Sequence, residues 1–454
     1  MKGLQWGAGL MLVLGLMGSS LLFARLLTHW PTLPPPSEPP SPTAEADTLT
    51  ASAASQLTQG HIARARQLLD DALAKAPRHA PALLLKTCIA LESGAQQEAE
   101  ATLALLRDAE PERPEPRLLQ RMLEHRARTP DEGWRRPFFR AWTELGRPNL
   151  EDSPLLPAID LEAPELLPPA DAWERATSPA VRLTLVLAMY KLSEPSAQWL
   201  VEHLPTVEEP ALVQAASVRL LASTLPPTLQ SKARATVRRR LEQLVETAPD
   251  LLHPRLLLLL AQAPEGGAFS QQELESLEAI TSRSTWQPTS LLFSETFLKA
   301  RAHLKEVRHP SPGISAFTVA RISANHWGLL LISQRAEKTR FQLLPGSRHR
   351  LGRVVWNLGA FLSQQSSVRE RNYGLQFMAE GAADMGDEQE EQRLEQVLEE
   401  ALAPKYALDE AAPERWPLPS LWEEVFEARA RDERAYVQES TAGTPPPETQ
   451  RARQ

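Results

Sequence analysis

Cysteine is almost missing from this 454-residue chain: Cys88 stands alone, so no intrachain disulfide and no thiolate metal cluster can form. Glycine is scarce, at 20 residues against 40 prolines, and the aromatic share is only 6%. Long β-branched runs are also few. A chain this short of strand formers is expected to be all-α, with proline marking helix ends. An excess of positive charge is lacking too. The formal net charge of −8 offers no broad positive field for a phosphate backbone, and no nucleic-acid partner is expected. Catalytic signatures are equally sparse. None of the 10 histidines shares a helical face with a second histidine and a carboxylate as a zinc site would require. There is no GxSxG elbow and no glycine-rich phosphate loop with its lysine, so no metal, no cofactor and no catalytic residue is predicted.

One long apolar run is present. "GLQWGAGLMLVLGLMGSSLLFA" (3–24) carries 22 residues without a formal charge. As a helix it would span roughly 33 Å, enough for a bilayer core. Lys2 precedes it, and Arg25 is the last charge before Glu38. This pattern predicts a transmembrane signal-anchor over 1–27, with a cleaved secretory signal as the rival reading. The 40 arginines against 9 lysines suggest a GC-rich bacterial gene, so the expected location is a bacterial inner membrane, single-pass, with the soluble part periplasmic. "PTLPPPSEPPSP" (31–42) falls in an expected proline-rich linker, 28–45, of polyproline-II character.

After the linker the sequence becomes periodic. Gly60 is answered by Gly94, Ala65 by Ala99, Leu69 by Leu103, Ala72 by Leu106 and Pro77 by Pro111, all at one offset of 34 residues. The pattern resembles the tetratricopeptide repeat, whose unit of about 34 residues is a helix-turn-helix. The resemblance implies that Gly60 and Gly94 lie in the turns between paired helices, where a side chain would obstruct the fold-back. It implies that Ala65 and Ala99 let those helices approach, that Leu69 and Leu103 fill the core, and that Pro77 and Pro111 end the second helix of each pair. A hairpin of this kind cannot bury its own apolar face, so its neighbour must present the same surface. By the same register Leu84, Cys88, Leu91 and Glu92 would look into a groove that holds a partner peptide. Leu84, Cys88 and Leu91, spaced four and three apart, also read as a buried helical stripe. A further amphipathic segment, 114–128, lacks a turn glycine and reads as a capping helix, which closes a repeat region at 46–128.

Beyond it the sequence predicts a connector at 129–173, with six prolines in "GRPNLEDSPLLPAIDLEAPELLPPADAW", then a helical-repeat region at 174–310. The leucine run 256–260 is too short to cross a bilayer and reads as a buried helix. A C-terminal helical domain at 311–439 and a disordered tail at 440–454 complete the expected α-solenoid. Within that domain "WNLGAFLSQQSSVRERNYGLQFMAEGAADMGD" (356–387) is faintly similar to a Sel1-like repeat, through Leu358, Gly359, Ala382 and Ala383.

Two further segments carry opposed readings. Trp134, Phe138 and Trp142 share one helical face with Arg136 and Arg140 on another, which suits an acidic or lipid partner but equally a core stripe with a wet basic side. "SKARATVRRRLEQ" (231–243) reads as a solvated face. The expected function is therefore a membrane-anchored scaffold that binds protein partners in bacterial envelope assembly, without catalysis. The alternative is an exported enzyme acting on the cell wall. Soluble lytic transglycosylases resemble the chain in outline, a long helical superhelix before a catalytic domain. The nearest text to their catalytic "ES" motif is "FSETFLKARAHLKE" (293–306), and the conforming "GLMQ" segment does not follow.

Overall fold

A computed structural model describes residues 41–157, 167–168, 171–262, 267–283, 285–309 and 311–442. All regular structure among them is helical. The N-terminal part is a row of helix pairs: α1 (Pro42–Thr58) with α2 (Ile62–Lys75), α3 (Ala80–Glu92) with α4 (Gln96–Ala109), and α5 (Pro114–Arg128) with α6 (Arg135–Glu144). Helix α1 starts where Ser41 Oγ accepts the Ala44 N–H and Pro42 fills the first turn, so the proline-rich stretch gives way to helix before residue 45. Residues 1–40 lie outside the described residues.

The two turn glycines close their helices in the same way. Gly60 has φ +77° and Gly94 φ +71°, a backbone region that L side chains enter at a cost. Around Gly60 the His61 N–H reaches the Gln56 carbonyl at 2.8 Å and the Gly60 N–H reaches Leu57 at 2.9 Å; around Gly94, Ala95 reaches Ala90 at 2.8 Å and Gly94 reaches Leu91 at 3.1 Å. Each pair of bonds satisfies carbonyls that a helix end would otherwise leave bare. Helices α2 and α4 stop alike. Ala76 and Glu110 adopt φ −134° and −135°, because the adjoining Pro77 and Pro111 exclude the helical region for the residue before them. Ala65, Ala99, Leu69, Leu103, Ala72 and Leu106 are all buried. The third pair turns through residues 129–134 without a glycine at positive φ, and its second helix arises inside the segment expected as connector.

The middle of the chain continues as shorter helices: α7 (Ala172–Arg175), α8 (Pro179–Ala188), α9 (Glu194–His203), α10 (Pro210–Ala222), α11 (Pro227–Thr247), α12 (Leu252–Gln262), α13 (Gln271–Thr281) and α14 (Thr289–Glu306). Proline within the first turn opens α8 to α11, where its missing N–H costs nothing. Leu256, Leu257, Leu259 and Leu260 on α12 are core residues.

The C-terminal third consists of α15 (Pro312–Ser323), α16 (His326–Gln342), α17 (Pro345–Leu362), α18 (Val368–Met385), α19 (Glu388–Ala411) and α20 (Pro419–Thr441). Helix α20 therefore runs into the expected tail, and residues 443–454 lie outside the described residues. Helices α17 and α18 meet backbone to backbone. A Cβ on Gly352 would stand 2.7 Å from the Gly381 carbonyl oxygen, and one on Gly359 would stand 2.5 Å from that of Gly374. Small residues seven apart on both helices make this approach possible.

Helix α20 belongs to two cores at once. Trp422, Phe426 and Ala430 pack with the middle helices, in a cluster that includes Leu187, Val213 and Phe297. Leu421, Val425, Tyr436 and Val437 pack with the repeat region, in a cluster that includes Leu84, Leu118 and Phe138. The expected single-pass anchor and inner-membrane, periplasm-facing location are corrected. Among the described residues no helix is long and apolar enough to cross a membrane, and the run 3–24 lies outside them. The structure gives no localisation.

Candidate interaction surface

The four residues expected to line a partner groove are all on α3, and three of them are core. Leu84 and Cys88 are fully buried and Leu91 nearly so. Burial pushes the Cys88 thiol far up from its ordinary value, with the nearby Glu92 charge adding to the shift, so the thiolate is not accessible at neutral pH. Leu84, Cys88 and Leu91 share one apolar cluster with Trp416, Leu418 and Leu421 of the chain's own C-terminal part. Glu92 is held from the same side. Its carboxylate accepts the Ser420 N–H at 3.1 Å and also the Ser420 hydroxyl. Burial raises the Glu92 pKa, the Ser420 hydrogen bonds pull it back, and the neighbouring Glu424 charge raises it further. The α3 face thus shares a core and a hydrogen-bonded carboxylate with the chain's own C-terminal part.

Helix α20 is fastened by carboxylates at helix starts. Helix N-termini leave backbone N–H groups without partners and carry partial positive charge, so they favour an anion. Glu424 accepts the Trp134 and Arg135 N–H groups, each at 2.9 Å, at the start of α6. Glu423 accepts the Gly313 N–H at 2.7 Å, at the start of α15, and also binds Arg301 at 3.1 Å. Glu433 accepts the Val368 N–H at 3.0 Å, at the start of α18. Three glutamates of α20, which kinks at Asp432 between Glu424 and Glu433, cap three other helices, α6 in the N-terminal row and two in the C-terminal third. Aromatic contacts add to this: Phe138 meets Trp416 edge-on at 5.7 Å and Phe139 meets Tyr436 at 6.0 Å.

The aromatic stripe at 134–142 is core. Trp134, Phe138 and Trp142 are buried, while Arg136 and Arg140 stay largely in solvent beside Glu132. In the basic run Arg238 pairs with Glu242 along α11 at 2.9 Å. Among the described residues no group of three or more histidine, cysteine or acidic side chains is arranged to hold a metal. Glu295, the acid nearest to a transglycosylase-like motif, is exposed on α14.

Local sequence reading found the repeats but not the helix that covers them. The text "WEEVFE" (422–427) carries a signal, since adjacent glutamates between apolar residues are costly on a packed helix unless each finds a donor. Which donors they find is set by elements some 290 and 110 residues away.

Residues 56–123 match the tetratricopeptide repeat family, and that segment is a tetratricopeptide repeat region. No curated protein and no solved structure matches the chain. The similarity of 356–387 to a Sel1-like repeat is not supported by this match, which ends at residue 123. Tetratricopeptide repeats generally bind protein partners, and a role in protein–protein interaction is what the region indicates.

Proposed function

We propose that the protein is a non-catalytic adaptor which holds a protein partner on its helical repeats, and that Leu84, Cys88, Leu91 and Glu92 seat the chain's own residues 416–421 while the partner takes the surface left open. The observation that carries this reading is the stacking of hairpins at one fixed spacing, with Gly60 and Gly94 at the bends. Such a row offers a pre-formed curved surface that binds without ordering itself first. What remains open there includes the solvent side of α1, with Thr48, Ala51, Ser52 and Ser55, and Leu105 on α4, which is 54% exposed. An envelope role rested on the N-terminal apolar run and does not enter the proposal. The cell-wall enzyme gains nothing from an exposed Glu295, since a general acid of that kind needs a desolvating pocket to keep its proton.

Cross-linking followed by mass spectrometry on the tagged full chain in its native cells tests the reading. Cross-links from residues 42–128 to a second protein are expected, and they should be lost in Leu105→Arg if α4 contributes to the contact. Recovery of the chain alone, or cross-links confined to 171–442, would overturn it.

A further inference from the structure

A cleft of about 510 Å³ opens between α14, α15, the start of α16, the start of α18, α19 and α20, away from the repeat region. Its size falls in the range of small-molecule sites, about 300–1,000 Å³. One wall is aromatic: Phe293 meets Phe317 edge-on at 5.5 Å, and Phe317 meets Phe426 at 5.0 Å. Arg429 lies 4.9 Å over the Phe317 ring, with its guanidinium bound to Glu414 at 2.5 Å and Glu433 at 3.1 Å. The two carboxylates occupy the guanidinium, so that wall carries one net negative charge and has no cation free for a ligand.

Other lining residues are polar and incompletely paired. His326 lines the cleft, and both its ring nitrogens are shut off from solvent with no hydrogen-bond partner. Burial, and then the neighbouring Arg369 charge, push its pKa down to about 3, so the ring is neutral and adds no charge to the cleft. Arg369 stands at the exposed mouth, and among the described residues no carboxylate pairs with it. The side-chain oxygen of Asn372, in the same lining, is also without a partner. An unpaired guanidinium selects an acceptor of negative charge.

We propose that this cleft binds a small organic anion, a flat apolar ring bearing one carboxylate, with the ring against Phe293, Phe317 and Phe426 and the carboxylate facing Arg369. A neutral ring compound would leave Arg369 unanswered. A polyanion such as a nucleotide suits the mouth less well, because Lys405 is bound to Asp409 and Arg429 to its two glutamates. The site is independent of the partner-binding reading, since it uses no residue of the repeats.

Isothermal titration calorimetry on the full chain tests it, with 2-naphthoate as the probe and 2-naphthamide as its neutral counterpart. Naphthoate should bind one-to-one, and the amide about tenfold more weakly, the cost of one charge-assisted hydrogen bond. Arg369→Gln, an exposed position whose change leaves the core alone, should bring the acid down to the affinity of the amide. Thr318→Trp should fill the cleft and abolish binding of both, with thermal unfolding as the control for its fold. No saturation by naphthoate at millimolar concentration, equal binding of acid and amide, or an unchanged affinity in Arg369→Gln would each overturn the proposal. If Thr318→Trp fails to fold, the Arg369→Gln comparison still decides.

Discussion

In the N-terminal hairpins Gly94 sits at φ +71° with nothing within 4 Å of where a Cβ would stand, whereas in the α17–α18 pair Gly359 lies in regular helix with the Gly374 carbonyl 2.5 Å from that point. The first glycine is there for a conformation, the second for space. A conformation is a local demand that returns wherever the turn returns, so it leaves a period in the sequence. Space is a demand made by another helix, and its spacing shows only once the partner is known. The same division separates the two ends of the protein: the repeats are built from recurring local rules, the C-terminal third from long-range fits that occur once.

Substitutions put that contrast at risk, and the largest effect is expected where the two regions meet. Trp416 is fully buried against Phe138, and Trp416→Ala should cost about 3–5 kcal/mol by cavity formation. Chemical denaturation followed in both regions should show them losing stability together; two separated transitions, with only one shifted, would mean that the halves are independent. Next comes Gly359→Ala, which must push α17 from α18 at about 1–3 kcal/mol. Gly94→Ala meets no atom and should cost only the left-handed backbone, about 1–2 kcal/mol. Asparagine separates the two causes. It tolerates positive φ, so Gly94→Asn should recover most of the loss, while Gly359→Asn should be worse than alanine. Equal behaviour of both sites in thermal melts would collapse the distinction.

The smallest effect concerns Glu92. Its pKa is raised in the folded chain, so the folded state prefers the proton, and the stability this group contributes is full below the usual carboxylate range and falls as pH rises through the raised value. At neutral pH the buried charge is a liability. Glu92→Gln keeps an acceptor for Ser420 and should gain no more than about 1 kcal/mol at pH 7, with the difference from the natural chain fading as the medium is made acid. A loss at pH 7, measured by urea unfolding, would show that the charge itself holds the C-terminal segment.

The hairpins were readable from the sequence because each needs the same turn. Gly60 and Gly94 fold the chain back at positive φ, Pro77 and Pro111 stop the second helix, and Ala65 and Ala99 are buried without trace of exposure. Leu84, Cys88 and Leu91 were readable as a stripe, but their neighbours were not. A helical period says which side of α3 is apolar, and it cannot say that Trp416, Leu418 and Leu421 will come to cover that side. Nor could it foresee that α6 starts on a cap from Glu424 instead of a residue of its own turn. The expected membrane anchor came from the uncharged run 3–24 and the charges flanking it, which lie outside the described residues, and no described helix is long and apolar enough to cross a membrane.

Leu421 and Val425 of α20 share the apolar core of the α3 face, and amide hydrogen exchange on the full chain reads this directly. The amides of residues 421–430 should exchange as slowly as those of 84–91 and should gain speed in step with them as denaturant is added, because Leu421 and Val425 share a core with Leu84, Cys88 and Leu91. Rapid exchange across 421–430 while 84–91 stays protected would contradict it, and would return the α3 face to an outside partner.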